Sequence, residues 1–295
     1  MIKSIIRTLR FLKSHPFAKR HFLKSLFKYF RWQIASRVWP YPSFVPFVNE
    51  AHLMIRPGMV GATGNLYAGL HEFNDMGFLL HLIRPTDVFF DIGANVGTYT
   101  VLAGKAIGVR TVALEPVPIT YRYLEDNIRV NRIETEVMAL NMGASRRKGQ
   151  LHFSTDQDSV NHVVLEKSEK SSIVLVPVDA LDNLIIDVPV LIKVDVEGFE
   201  YEVLSGAQRI LEASKLKAII IEINGSGNRY GVSNQAIHQL LLDYGFLPYD
   251  YDPFTRKLFE LEKYNSHNTI YIRDLPFVTE RIVTAEKFKV WNELV

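Results

Sequence analysis

Two rhythms of apolar and polar positions run along this chain, and their order predicts an architecture. From residue 88 onward, short continuous apolar runs alternate with stretches of helical periodicity. Val88-Phe89-Phe90 reads as a buried strand, followed by a glycine-rich turn and a helix from about Gly97 to Ile107 that Gly108 stops. Thr111–Leu114 is a second strand, Pro118 to about Val130 a helix, and Val137–Leu140 a third strand. Val188–Val194, Phe199–Leu211, Ala218–Ile223 and Ser233–Tyr244 continue strand, helix, strand, helix. Strands apolar on both faces and separated by helices predict a parallel sheet covered on both sides.

Two segments interrupt the alternation. Residues 149–178 hold strand-like pieces at Leu151–Phe153 and Ile173–Val178 around a polar loop, a hairpin-like insertion. Phe246–Tyr251 and Thr269–Ile272 form a second predicted hairpin. Upstream, Phe47 to Ile55 is strand-like, Gly61 to Asn65 reads as a glycine-rich turn, and a helical run from about Leu70 to Leu82 ends before Pro85. Before residue 40, Ile5, Ile6, Leu9, Leu12, Phe22 and Leu26 recur at helical spacing, with a break at Pro16. These patterns divide the chain into an amphipathic extension (1–45), one α/β domain (46–275) and a C-terminal tail (276–295).

Composition adds constraints. With 47% hydrophobic and 22% charged residues the chain is predicted to fold as a soluble protein. The absence of cysteine excludes disulfides, cysteine metal sites and thiol nucleophiles, and fits a cytoplasmic setting. A net charge of +2 conceals an asymmetry: residues 1–39 carry ten Lys or Arg and no acid, leaving 24 basic against 32 acidic residues elsewhere. An acidic body disfavours nucleic acid as partner, whereas a basic arm suits an anionic surface. The arm has three readings: a helix packed on the domain or on a second subunit of a homo-oligomer, a peripheral membrane-surface helix, or an organelle transit peptide.

The chemistry concentrates at strand ends. Asp91-Ile92-Gly93-Ala94-Asn95-Val96-Gly97 follows the first strand, where open α/β sheets bind ligands. The spacing is not that of a pyrophosphate loop, and Asp91 suits an ammonium or sulfonium better than a pyrophosphate. Glu115, at the end of the next strand and about 20 residues beyond the glycine turn, is placed to grip both hydroxyls of a ribose. Lys193-Val194-Asp195-Val196-Glu197-Gly198 ends the fourth strand with three ionisable side chains on one side. Such groups are costly to bury unpaired, so they pair with one another or face a ligand. Glu222 and Asn224 add an acid and an amide at the same sheet edge.

Together, Asp91-x-Gly93-Ala94-Asn95-x-Gly97, Glu115-Pro116, Asn127 with Asn131, Leu181 with Asp179, Lys193-x-Asp195-x-Glu197-Gly198 and Ile221-Glu222 resemble the FkbM family of methyltransferases that use S-adenosylmethionine (SAM). The likeness covers roughly residues 70 to 250. It implies the class I methyltransferase fold: a Rossmann-like, seven-stranded, mostly parallel sheet with an antiparallel last strand and helices on both faces. It also implies that Asp91, Gly93, Ala94, Asn95 and Gly97 line the methionine end of SAM, that Glu115 binds the ribose, and that Asn141, Met142 and Gly143 border the adenine. O-methylation of a sugar or other small hydroxylated acceptor is the implied reaction.

For a hydroxyl acceptor the candidate bases are Asp195, Glu197 and Glu222, with His162 and then His71 as outsiders. Asp195, Glu222 and Asn224 form an alternative oxygen set for Mg²⁺, which no sequence feature requires. Two rival readings stand beside this one. An NAD-dependent oxidoreductase lacks its dinucleotide loop here, and a non-catalytic scaffold has no reason to keep three acids at the sheet edge.

Overall fold

The computed structural model describes residues 2–155, 161–164, 172–184 and 187–295. Its centre is an eight-stranded sheet. Five parallel strands run in the order β5 (Val137–Leu140), β4 (Arg110–Leu114), β3 (Val88–Ile92), β9 (Leu191–Val194) and β10 (Ala218–Glu222). Antiparallel β13 (Asn268–Ile272) lies between β10 and β11 (Leu247–Asp252), and β12 (Lys257–Glu260) closes that edge against β11.

Every residue of β3 and β9 is buried, so neither strand alternates polar with apolar. Alternation acts instead to divide two apolar layers. Phe89, Ala113, Leu191 and Ile220 join Leu79, Val101 and Leu124 on one face. Phe90, Val112, Ile192 and Ile219 join Val203, Leu211, Ile237 and Leu241 on the other. The first layer is roofed by α5 (Phe73–Leu82), by α6 (Thr98–Val101), which widens into a π-helical turn at Leu102–Ile107, and by α7 (Pro118–Asn131). The second is roofed by α8 (Glu200–Ser205), α9 (Gln208–Glu212) and α10 (Asn234–Asp243). Truncating one of these fully buried side chains to alanine costs about 2–5 kcal/mol.

The strand count corrects the seven-stranded expectation. Phe246–Tyr251 and Thr269–Ile272 do pair antiparallel, with Leu247 opposite Ile272, but β13 also pairs with β10 through Ala218 and Ile272. The added strand, β12, is a short edge strand with no buried residue, so its pattern carries no strand signal. Chain order reverses between β3, which leads outward to β4 and β5, and β9, which leads to β10. The crevice above β3 and β9 is therefore the topological switch point.

Other expectations change in detail. Phe47–Ile55 is not one strand: β1 (Ser43–Pro46) and β2 (His52–Ile55) form a hairpin across it. Gly61–Asn65 lies inside helix α4 (Val60–Ala68) rather than in a turn. Gly64 is there for close approach, because a Cβ at this position would sit 2.2 Å from the His71 ring. The single helix expected over Phe199–Leu211 breaks at Gly206, where a Cβ would lie 2.1 Å from the Ser145 carbonyl oxygen. Asp182 restarts the chain as α9 by accepting from the Arg209 and Ile210 amides.

The insertion forms a small sheet of β6 (Gly143–Ala144), β8 (Ile173–Asp179) and β7 (Gly149–Ser154). Much of its predicted polar loop, residues 156–160 and 165–171, lies outside the described residues.

The basic extension folds as α1 (Ile2–Ser14), α2 (Pro16–Arg20) and α3 (Phe22–Val38) against the domain. Leu12, Phe17, Tyr29 and Trp32 enter the same apolar layer as Phe89. Pro16 starts α2 rather than merely ending α1. His15 caps it, accepting from the Ala18 amide at Nδ1 (3.0 Å) and donating from Nε2 to the Leu70 carbonyl (2.7 Å). Residues 276–295 are equally integral, comprising most of α11 (Leu275–Thr284) and the hairpin of β14 (Lys289–Val290) and β15 (Glu293–Leu294). Among the described residues, no helix is long and apolar enough to cross a membrane.

Candidate active site

The loop after β3 is held from two sides. Gly93 and Ala94 both donate to the Leu114 carbonyl, at 3.0 and 2.9 Å. Gly93, Asn95 and Gly97 all adopt left-handed backbone, at φ 80°, 52° and 86°. Glycine is free there, and asparagine tolerates it by bonding locally; the Asn95 side chain accepts from the Val96 amide at 2.7 Å.

Glu115 stands beside this loop at the tip of β4. Its two oxygens accept the amides of Asn95 and Val117, each at 2.9 Å, so it clamps the glycine loop to the start of α7. A carboxylate has about four acceptor positions, which leaves capacity for a ligand's hydroxyls. Burial pushes Glu115 up to about 7, against the pull of those two amides. Asp91, at the end of β3, is 1% exposed and accepts from the Thr100 hydroxyl at 2.6 Å. Burial raises its pKa, and the Lys193 ammonium opposes that rise.

The asparagines of the sequence pattern are structural ties. Asn127 donates to the Val96 carbonyl and accepts from the Met54 amide, joining α7 to the glycine loop and to β2. Asn131 grips both backbone groups of His52. Asn141 donates to the carbonyls of Glu115 and Pro116 and fixes the tip of β4. Of the expected adenine-side residues, Met142 and Gly143 line the cleft, whereas Asn141 supports its wall from behind.

On the other side of the switch point, Lys193 donates to Asp195 at 2.7 Å and lies 4.8 Å above the Tyr99 ring. Burial lowers Lys193, but the charges of Asp195, Glu72 and Asp91 more than offset it and hold the ammonium above its ordinary range. Asp195, Glu197 and Glu222 converge so that one oxygen from each lies within 4.8 Å of the others. Burial, then the charge of Asp195, raises Glu222 to about 8 and Glu197 to about 7. Glu197 is itself held at φ 54°, which turns it off the strand axis into this cluster. Asn224 does not join the set: it is exposed, and its side-chain oxygen accepts from the Ser226 amide. The oxygen set is therefore Asp195, Glu197 and Glu222.

One cleft collects Asp91, Gly93, Ala94 and Asn95, Glu115, Met142, Gly143, Lys193 and the three carboxylates, whereas Gly97 stands outside the lining and packs against Leu124. Phe153, Asn161 and Val163 of the insertion close one wall, while Gly61, Asn65, His71 and Glu72 close another. Of the two outsider histidines, His71 is the one among the lining residues. Sequence reasoning missed Glu72, Asp75 and Tyr99. The Tyr99 hydroxyl donates to Glu72 at 2.5 Å, and Asn268 donates to Asp75 at 3.1 Å. Burial, then the charge of Glu72, raises Asp75 to about 7. The available signal was an acid at residue 75 in a helix otherwise apolar on nearly every side.

A parallel sheet with an antiparallel strand inserted near one edge, and a cleft of this composition at its switch point, is the architecture of class I methyltransferases. Residues 91–248 match the family described as Methyltransferase FkbM domain, more than half of the 295 residues, and the chain belongs to that family. The hexuronic acid methyltransferase AglP of Haloferax volcanii is 28% identical over 165 residues, which is 55% of this chain and 64% of that protein. Among solved structures, the methyltransferase FkbM of Methylobacillus flagellatus aligns with a TM-score of 0.44 and 18% identity, over 72% of this chain and 52% of that one. M. jannaschii TYW2 in complex with AdoMet aligns with a TM-score of 0.43 and 14% identity, over 79% and 87%. The chain thus spans less than two thirds of AglP and about half of the Methylobacillus protein.

Proposed function

We propose that this methyltransferase binds SAM in the cleft and methylates a hydroxyl of a sugar or similar small acceptor. The observation that carries the reading is the shared wall of the glycine loop and Glu115, linked by the hydrogen bond from the Asn95 amide to the Glu115 carboxylate. The lining suits such a donor. Glu115 would take the ribose hydroxyls, the backbone of residues 93–96 would pass close to the methionine portion, and Met142, Gly143 and Phe153 offer an apolar wall for the adenine. Bound there, SAM supplies a methyl group already activated on a sulfonium sulfur.

The chain's own residues orient the acceptor and receive its proton. Asp195, Glu197 and Glu222 are the candidate bases within the cleft, and Glu197 and Glu222, raised to about 7 and about 8, come near the working pH at which a base is most effective. The proton on the acceptor oxygen would pass to one of these carboxylates as the O–CH₃ bond forms and the methyl's bond to sulfur breaks, its electron pair leaving with the neutral thioether. Lys193 positions Asp195 and keeps the cluster from carrying three uncompensated charges. Positioning and base catalysis are the two contributions the chain makes. The sugar acceptor draws support from the hexuronic acid named for the AglP relative.

A second reading rests on the carboxylate cluster. Three oxygens within 4.8 Å of one another match the spacing of ligands around a divalent cation. Calorimetry tests the donor, and turnover under chelation tests the cation. SAM should bind and NAD should not, and chelation of divalent cations leaves turnover of a hexuronic acid acceptor unchanged if the carboxylates act as bases alone. NAD binding in place of SAM would overturn the assignment.

A further inference from the structure

Helix α3 is buried along one side only. Ser25, Tyr29 and Trp32 face the domain, and the Tyr29 ring meets Tyr67 of α4 at 5.3 Å. On the opposite side Leu23, Phe27, Phe30, Ile34 and Val38 stand in solvent, from 43% to 80% exposed. Their positions step by four, three, four and four residues, which aligns them in one stripe along the whole helix. Trp39 and Tyr41 extend it, exposed and with ring centres 5.1 Å apart. Single exposed apolar residues are ordinary, but a continuous stripe on a helix already anchored by its other face is not needed for folding.

The charge around the stripe selects its partner. At 100° per residue, Arg31 and Lys24 flank it on one side and Arg37 on the other. No acid occurs in residues 1–39, which carry ten Lys or Arg. Among the described ion pairs of this segment, Arg20 and His21 meet one acid, Glu293. Lys24 and Lys28 crowd above the Trp291 ring, at 5.0 and 4.3 Å. A second copy docked on the same face would oppose these positive charges to each other. An anionic lipid surface would neutralise them and cover the apolar stripe at once.

We propose that α3 lies in the headgroup layer of an anionic bilayer, with its apolar stripe at the acyl boundary and its flanking Lys and Arg against the headgroups. This is the geometry of an interfacial amphipathic helix with an aromatic end. It also sets the cleft near the membrane. α4, which packs directly on α3, contributes Gly61, Ala62 and Asn65 to the cleft wall, so α4 alone stands between α3 and that wall. The inference is independent of the methyl donor.

Flotation of the full chain with vesicles tests it. The protein is expected to co-float with phosphatidylcholine vesicles containing about 30% phosphatidylserine, and not with pure phosphatidylcholine. Trp39, the exposed tryptophan, should shift its emission to the blue on binding, and Trp39→Phe should remove that shift. Phe27→Glu with Ile34→Glu should reduce partitioning at least about tenfold while leaving the far-UV spectrum and SAM affinity unchanged. Arg31→Glu with Arg37→Glu, which keeps the stripe, should also weaken binding. Equal partitioning of wild type and both double variants would overturn the proposal. So would a dimer, detected by light scattering, that the stripe variant dissociates and that ignores anionic vesicles.

Discussion

Gly93 and Asp195 are in backbone contact so close that a Cβ built on Gly93 would stand 1.8 Å from the Asp195 carbonyl oxygen. The loop that would hold the donor and the strand end that carries the acids are therefore one packed unit. Gly93→Ala meets both this clash and a left-handed φ of 80°. It is expected to cost about 2–4 kcal/mol from overpacking and strain, and to lower SAM affinity with it. Gly97→Ala should be milder, because it shares the left-handed strain at φ 86° but meets the end of the Leu124 side chain rather than backbone. Thermal melts and calorimetry on the two variants check the order; an equal effect would remove the special status of the 93–195 contact.

Asp195→Asn and Glu222→Gln, made separately, are expected to lower kcat by about 10²–10⁴ while SAM affinity stays within a few fold. Both replacements preserve shape and remove a base, so a matching loss of donor binding would show that the cluster serves the cofactor instead. Wild-type turnover in both would take these residues out of the mechanism.

Glu115→Gln keeps one acceptor oxygen but loses the charge that two amides and a ribose diol would share. Charge-assisted hydrogen bonds contribute about 1.5–3 kcal/mol each, so SAM should bind roughly 10- to 100-fold more weakly. Measured by titration calorimetry, an unchanged dissociation constant would place the ribose elsewhere.

Stability of the ligand-free protein should fall as pH rises above about 6.5. Burial holds Glu115, Glu197 and Glu200 near 7 and Glu222 near 8. In the native state these carboxyls keep protons that the unfolded chain has already released, so their contribution is whole below the unfolded value, is lost progressively as pH rises from there, and is gone once the native carboxyls also ionise at about pH 7 to 8. His15 and His81, lowered to about 4 by burial, act in the opposite sense. Their neutral native form gains stability as pH climbs from 4 towards 6.5, and above that they add nothing further. Scanning fluorimetry from pH 6.5 to 8.5 should therefore show a declining Tm, with a shallower decline in Glu222→Gln. A flat profile would contradict the burial of these groups.

Much of this was legible beforehand because it is local. Val137–Leu140 is bounded identically by pattern and by structure, since a short apolar run between turns needs no tertiary information even at the sheet edge. The glycine loop and Glu115 were readable because their spacing follows from one strand, one turn and one helix. Asn224 failed for a complementary reason. A side chain two residues past a strand end can turn either way, and here it closes on the Ser226 amide instead of entering the cleft. Asn127 and Asn131 were visible as a pattern, but their role was not, because their partners Met54 and His52 lie more than 70 residues earlier.

By itself the sequence determined the strand and helix rhythm, the cup of glycines and acids at the strand tips, and the segregation of ten positive charges into the first 39 residues. Each is a property of neighbours along the chain. Only tertiary structure decided that Glu72 and Tyr99 reach the same cleft, that Gly61–Asn65 forms a helix wall, and that α3 keeps one apolar face uncovered. Those outcomes depend on which surfaces meet across long separations in sequence, and packing selects them from alternatives that local preference leaves nearly equal in energy.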